Sequence, residues 1–182
     1  MVYKKPKIGI ITTGSELVEP EMKVEKGLIR NSNGHTLVAQ VYNSNAEPIY
    51  YGIVKDNKKQ IEKIIAKAIS ENDILLVSGG VSMGDFDFVP ECLKNNGFDI
   101  LFNRVAIQPG KPVNFGIGKN KACFGMPGNP VSTFIQFELM VKPFIYRLMG
   151  HNYQPKMFKA KLGKGIIRKN SERESIIPVH FK

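Results

Sequence analysis

Tryptophan is absent from this chain of 182 residues, and it holds only two cysteines and three histidines. Cys92 and Cys123 stand far apart and match no metal-ligand spacing, so they read as reduced, partly buried thiols. His35, His151 and His180 form no spacing set, which excludes a zinc site and a histidine-based triad. No stretch approaches the ~20 apolar residues of a membrane span. Residues 1–7 are polar and lack the apolar core of a signal peptide, so the expected compartment is the cytoplasm, with no membrane partner. Neither a P-loop nor a complete dinucleotide fingerprint is present. No repeat or low-complexity segment appears, and no basic run alternates with aromatics, so the signature of a nucleic-acid binder is weak.

What is present is an ordinary globular composition, 42% apolar and 23% charged, with a net charge of +10. Such a length buries roughly 70% of the extended chain's surface, enough for a core without disulfides or metals. The positive surface attracts anions, with nucleic acid, acidic lipid and a phosphorylated small molecule as the competing classes.

Apolar β-branched runs alternate with helical patterns, the rhythm of βαβ units and a largely parallel sheet. Strands are expected over 8–13, 48–54, 73–77, 99–107, 113–117 and 122–125, the last pair joined by a short Gly-Lys-Asn turn. Asn31-Ser32-Asn33 offers N-cap chemistry for a helix through Val41. Ile61, Ile64, Ile65, Ala68 and Ile69 mark the apolar face of a second helix. A short helix is expected over 89–93. Asn129 can cap, and Pro130 can open, a long helix that Pro143 kinks or restarts. Past Gly150 the texture changes, and 158–162 and 176–181 are expected as strands of a small, incomplete β unit. The expected division is 1–150 and 151–182.

In an open parallel sheet, ligands bind beyond the carboxyl ends of the strands. Four loops fall on that edge: 14–16, 56–57, 78–87 and 126–132. Gly79, Gly80, Gly84 and Gly128 allow close backbone approach, and Ser15, Ser78, Ser82, Ser132 and Thr133 supply hydroxyls. Helix N-termini add amides suited to phosphate. Glu16, Asp56, Asp85 and Asp87 share this edge. A hard cation bridging carboxylates and phosphate would explain acids in a basic protein; alternatively, Asp56 and Asp85 cap the helices that follow them. Lys111, between Gly110 and Pro112, either reaches the anion or is a solvated turn lysine. The residues alone lead to a phosphate-binding α/β domain.

Six segments occur in order: Thr13-Gly14-Ser15-Glu16-Leu17, Asn31-Ser32-Asn33, Gly52-Ile53-Val54-Lys55-Asp56, Ser78-Gly79-Gly80-Val81-Ser82-Met83-Gly84-Asp85-Phe86-Asp87-Phe88, Pro109-Gly110-Lys111-Pro112 and Gly125-Met126-Pro127-Gly128-Asn129-Pro130-Val131-Ser132. Together they resemble the molybdopterin-binding domain of the molybdopterin molybdenumtransferase family, over about 7–150. The Ser-Gly-Gly-Val-Ser-Met-Gly-Asp segment favours this branch over the smaller adenylyltransferase relatives.

The resemblance implies a three-layer αβα, doubly wound fold with a mostly parallel sheet, followed by a short, incomplete C-terminal β segment. It implies molybdenum cofactor biosynthesis: insertion of molybdate into adenylylated molybdopterin, with Mg²⁺-assisted cleavage of the adenylate. By motif position, Glu16, Asp56, Asp85 and Asp87 form the catalytic set, with Asp56, Asp85 and Asp87 as metal ligands. Asp85 or Asp87 is the preferred essential carboxylate. Gly79, Gly80, Ser82, Gly128, Asn129, Pro130 and Ser132 cradle the pterin and its phosphate; Gly14, Ser15, Ser78 and Lys111 complete the candidate binding set. Ser15 and Asn31 stand where many members carry Asp. Members carry further domains before this one, and their site is completed by the partner subunit of a homodimer, so the chain is expected to be part of a longer protein. The alternatives are a binding-only module for molybdopterin or a nucleotide, and a scaffold or nucleic-acid partner using the positive charge.

Overall fold

The computed structural model describes residues 3–81, 88–166 and 172–180. The chain opens with β1 (Lys7–Thr13), then the two-residue strands β2 (Leu17–Val18) and β3 (Ile29–Arg30), and α1 (Asn33–Asn43). It continues through β4 (Glu47–Val54), α2 (Lys58–Glu71), β5 (Ile74–Ser78), α3 (Val89–Asn95), β6 (Asp99–Arg104) and β7 (Ile107–Gln108). The hairpin β8 (Pro112–Gly118) and β9 (Lys121–Met126) precedes α4 (Pro130–Gln136), a π-helical turn at Phe137–Val141, α5 (Lys142–Leu148) and β10 (Glu174–Ser175).

Six strands form one sheet in the order β4-β1-β5-β9-β8-β6. The first four are mutually parallel; β8 and β6 continue it by antiparallel pairing. β5 sits at the middle, paired on both sides, and all five of its residues are buried. Its alternation divides the core. Ile74 and Leu76 pack with Ile8, Ile10, Phe124 and Phe137 under α1, the π-helical turn and α5. Leu75 and Val77 pack with Ile11, Ile65, Leu93 and Cys123 under α2 and α3. Two covered faces explain the unbroken apolar runs of the sequence, and they make the expected three layers.

Local chemistry sets the helix ends. Asn57 caps α2 by accepting from the Gln60 N–H at 3.1 Å, and Asn129 caps α4 by accepting from the Ser132 N–H at 3.1 Å. The helix begun at Pro130 changes register one residue before Lys142-Pro143, where the proline has no N–H to give the preceding turn. In the β8–β9 hairpin, Lys119 and Asn120 both adopt positive φ, 50° and 60°, which suits a two-residue turn.

Two expectations need correction. The strand expected over 99–107 breaks into β6 and β7. The tail forms no β unit among the described residues: 158–162 carries no strand, and only Glu174 and Ser175 pair, in parallel, with Ile107 and Gln108. The segment 158–162 is exposed throughout, so no apolar face is covered there, and a strand gains little in water without one.

Leu76, 0% exposed at the centre of the upper core, tests this packing directly. Leu76→Ala is expected to cost about 2–5 kcal/mol in chemical denaturation; a loss well below 1 kcal/mol would mean that the two-faced core is not as described.

Candidate functional site

Because β4, β1, β5 and β9 run in parallel, their carboxyl ends finish level, and the loops leaving them converge on one cleft of about 340 Å³. Of the residues expected there, Gly14, Glu16, Asp56, Ser78, Gly79, Gly80, Gly128 and Pro130 line it. Ser82, Asp85 and Asp87 lie outside the described residues. Val81, the residue before Ser82, lines the cleft.

The loops are tied to one another by hydrogen bonds. Asp56 does not cap the helix after it, as one reading allowed; Asn57 does. The Asp56 carboxylate accepts the Ser15 N–H at 2.8 Å, and the Asp56 N–H donates to Ser15 Oγ at 3.1 Å. This reciprocal clasp joins the loops after β1 and β4. Ser78, fully buried, donates to the Pro127 carbonyl at 3.3 Å and accepts from Asn33 Nδ2 at 2.8 Å. Asn33 Nδ2 also donates to the Gly128 carbonyl at 2.9 Å. The Gly79 N–H donates to the Met126 carbonyl at 2.9 Å. Asn129 and Ser132 are engaged in the α4 cap beside the cleft.

Gly79 adopts φ +92°, and a Cβ there would sit 2.3 Å from the Thr13 carbonyl oxygen. Only glycine lets the β5 loop pass this close to β1. At Gly128 a Cβ would meet nothing within 4 Å, so this residue's backbone faces open space in the cleft wall.

Lys111 is elsewhere. It lies in a neighbouring hollow of about 430 Å³ with Arg104 and Asn103, which shares Val81 and Pro112 with the main cleft. Gln136 fixes its turn: Nε2 donates to the Gly110 carbonyl at 2.7 Å and to the Pro112 carbonyl at 2.8 Å, on either side of Lys111.

Sequence reasoning left out one wall of the cleft, made of Thr12, Thr13, Leu17, Ile29, Arg30 and residues 31–33. The triplet Asn31-Ser32-Asn33 reads as N-cap chemistry and stands among the six motif segments, but was not placed in the cleft wall. Ser32 precedes α1 without a capping side-chain bond; Asn31 Oδ1 takes that role, accepting the Gly34 N–H at 3.1 Å. Arg30, a cation on this wall, is steadied by Nε donating to the Pro20 carbonyl at 3.1 Å.

Electrostatically the cleft is mixed. Glu16 and Asp56 take part in none of the ion pairs among the described residues, which are Lys7–Glu47, His35–Glu19, Lys58–Glu91 and Lys142–Glu138. Among the described residues no group of three or more His, Cys, Asp or Glu side chains is placed to hold a metal. Two carboxylates on one wall still fit Mg²⁺, which commonly binds through one or two carboxylates and completes its shell with water and substrate oxygens. No described helix is long and apolar enough to cross a membrane.

Residues 9–147 match the family described as "Probable molybdopterin binding domain". A molybdopterin molybdenumtransferase of Staphylococcus epidermidis is 41% identical over 162 residues, 88% of this chain and 39% of that protein. One from Bacillus subtilis is 40% identical over 144 residues, 79% of this chain and 34% of that protein. The solved structure of a molybdopterin biosynthesis moeA protein from Pyrococcus horikoshii, 34% identical, superimposes with a TM-score of 0.74 over 82% of this chain and 37% of that one. The MoaB protein of Thermus thermophilus, 15% identical with a TM-score of 0.61, covers 82% of this chain and 99% of its own, and shares the fold alone. The chain thus spans well under half the length of the transferases it matches.

The two glycines separate scaffold from open cleft. Gly79→Ala is expected to destabilise the fold by about 1–3 kcal/mol, because it adds both a clash and a left-handed alanine. Gly128→Ala is expected to stay within about 0.5 kcal/mol of the parent protein. Equal effects in chemical denaturation would contradict the described cleft wall.

Proposed function

The chain belongs to the molybdopterin-binding domain family, and on that premise we propose that its carboxyl-edge cleft binds a phosphorylated pterin dithiolene and serves the insertion of molybdate into it. The observation that carries the reading is the convergence of four strand-end loops on one cleft of about 340 Å³, within the usual range for small-molecule sites. Its wall combines the exposed backbone of Gly128, the N-terminal turn of α1 and two carboxylates outside every ion pair named above.

Each group has a task in this reading. Gly128, where a Cβ would meet only open space, leaves the main chain open to the ligand, while Gly79 and Gly80 let the loop after β5 pass close to β1. Residues 31–33 bring the positive end of the α1 dipole to the phosphate. Ser15 holds Asp56 in place through the clasp described above, so one carboxylate edge is preset before any ligand arrives. Glu16 and Asp56, with Asp85 and Asp87 from the adjoining segment, would hold Mg²⁺. Bound there, that ion would neutralise charge on the adenylate phosphates during cleavage. Lys111 and Arg104 present positive charge in the hollow beside the cleft. Residues 1–150 form the binding domain in this proposal and 151–182 begin a second unit, in a homodimer.

Binding and chemistry separate by mutation. Asp56→Asn, Asp85→Asn and Asp87→Asn keep size but remove an anionic ligand. Each is expected to slow molybdate-dependent AMP release by about 10²–10³-fold, or 2–4 kcal/mol, in an assay supplemented with the remaining domains of a transferase relative. Molybdopterin affinity and melting temperature should change far less. Lower melting temperature with unchanged turnover per folded molecule would remove the catalytic assignment, and binding without any turnover in the parent protein would leave a binding-only module.

A further inference from the structure

The excursion between β1 and α1 forms a strap over one side of the cleft. β2 and β3 pair in parallel, Leu17 with Ile29 and Val18 with Arg30. Leu17, Ile29 and Arg30 all line the cleft. Glu19 stands within the strap, and its two oxygens are both used. Oε1 accepts the Tyr50 hydroxyl at 2.7 Å, and Oε2 lies 2.9 Å from His35 Nε2. Tyr50 in turn accepts from Asn31 Nδ2 at 2.6 Å. Asn31 is 1% exposed, and its Nδ2 is also 3.4 Å from Thr12 Oγ1.

These contacts have only one consistent direction. An ionised carboxylate accepts and cannot donate. The Tyr50 proton therefore goes to Glu19, and its oxygen is left to accept from the Asn31 NH₂. The Asn31 amide is thereby oriented, with Oδ1 turned to the Gly34 N–H in the first turn of α1. No slack exists at this junction: a Cβ on Gly34 would lie 2.8 Å from the Tyr50 ring, 2.9 Å from Asn31 Nδ2 and 2.9 Å from Thr12 Oγ1. With Asn31 capping α1, the Ser32 side chain makes no cap bond, and Ser32 lines the cleft.

We propose that Glu19, Tyr50 and Asn31 form a directional hydrogen-bond relay that positions the strap and the first turn of α1 against the ligand. The three are positioning residues, and His35 steadies the outer oxygen of Glu19. The proposal rests on the reading of the cleft as the pterin site, and it adds the device that shapes its wall. Burial, and then the hydrogen bond to Glu19, push the Tyr50 phenol well above its ordinary range, as a donor locked onto a carboxylate requires.

Three single variants and one double variant test it, with amide exchange at Gly34 and titration with molybdopterin as readouts. Tyr50→Phe keeps the ring and removes the hydroxyl. Glu19→Gln keeps the shape but can donate, so the direction is lost. In both, Gly34 exchange should quicken about tenfold and molybdopterin affinity should fall about three- to tenfold, the usual range for one buried hydrogen bond. The amide of Ile65 in α2 should keep its protection. Asn31→Asp should weaken the parent protein in the same way, because its acceptor would face the Tyr50 oxygen. In the Tyr50→Phe background, Asn31→Asp should restore Gly34 exchange to within about twofold, since the new carboxylate then needs only the Gly34 N–H and the Thr12 hydroxyl as donors. Unchanged Gly34 exchange in Tyr50→Phe, or the same effect of Asn31→Asp in both backgrounds, would overturn the relay. Faster Gly34 exchange with unaltered affinity would overturn its positioning role. If the parent protein fails to bind molybdopterin, the reading of the cleft falls, and the Gly34 arm still decides the relay.

Discussion

The parallel ladder between β1 and β5 is the constraint on which the cleft depends. Its register, Ile8 with Ile74 through Thr12 with Ser78, brings Gly79 directly against the end of β1. β4 and β9 join the ladder on its two sides, so four chain ends finish at one edge. A slip of one residue would turn Leu75 and Val77 out of the lower core and into the upper one. Burial on both faces forbids that slip, and so the apolar core sets the cleft's geometry.

At the edge itself, hydrogen bonds convert separate loops into one wall. Asn33 spans the loops after β5 and β9, while Ser15 and Asp56 span those after β1 and β4. A ligand meeting this wall finds donors and acceptors whose positions are already held, so less ordering entropy is lost on binding. Glu16 and Asp56 stand outside the ion pairs of the described residues in a protein of net charge +10, and the Ser15 clasp holds Asp56 in place.

The strands and their level carboxyl ends were legible because apolar run length and turn chemistry report burial, and the ladder follows from burial. The Asn129-Pro130 helix start was legible for a similar reason, since cap and first-turn preferences are local. Three features were not. Asp56 looked like a cap because Asp precedes a helix there, but Asn57 is one residue nearer and leaves Asp56 to Ser15, a partner 41 positions away. Asn31-Ser32-Asn33 announced the α1 cap, which Asn31 supplies, but not that the Asn31 amide would also donate to Tyr50 of β4. The tail's alternating pattern promised a strand at 158–162, yet that segment is exposed throughout, and burial of a strand's apolar face depends on elements far away in the chain. Each miss turns on a long-range contact that spacing does not encode.

The central claim is that a phosphorylated pterin sits at the carboxyl edge of the parallel strands. Backbone amide shifts recorded during titration of the protein with molybdopterin, with and without Mg²⁺, test it most directly. The account predicts saturable shifts gathered at Gly14, Ser32, Gly79, Gly80 and Gly128, with or without Mg²⁺. Saturable shifts confined to the opposite edge, around Lys5, Asp73 and Lys121, or no saturable shift at all, would contradict it.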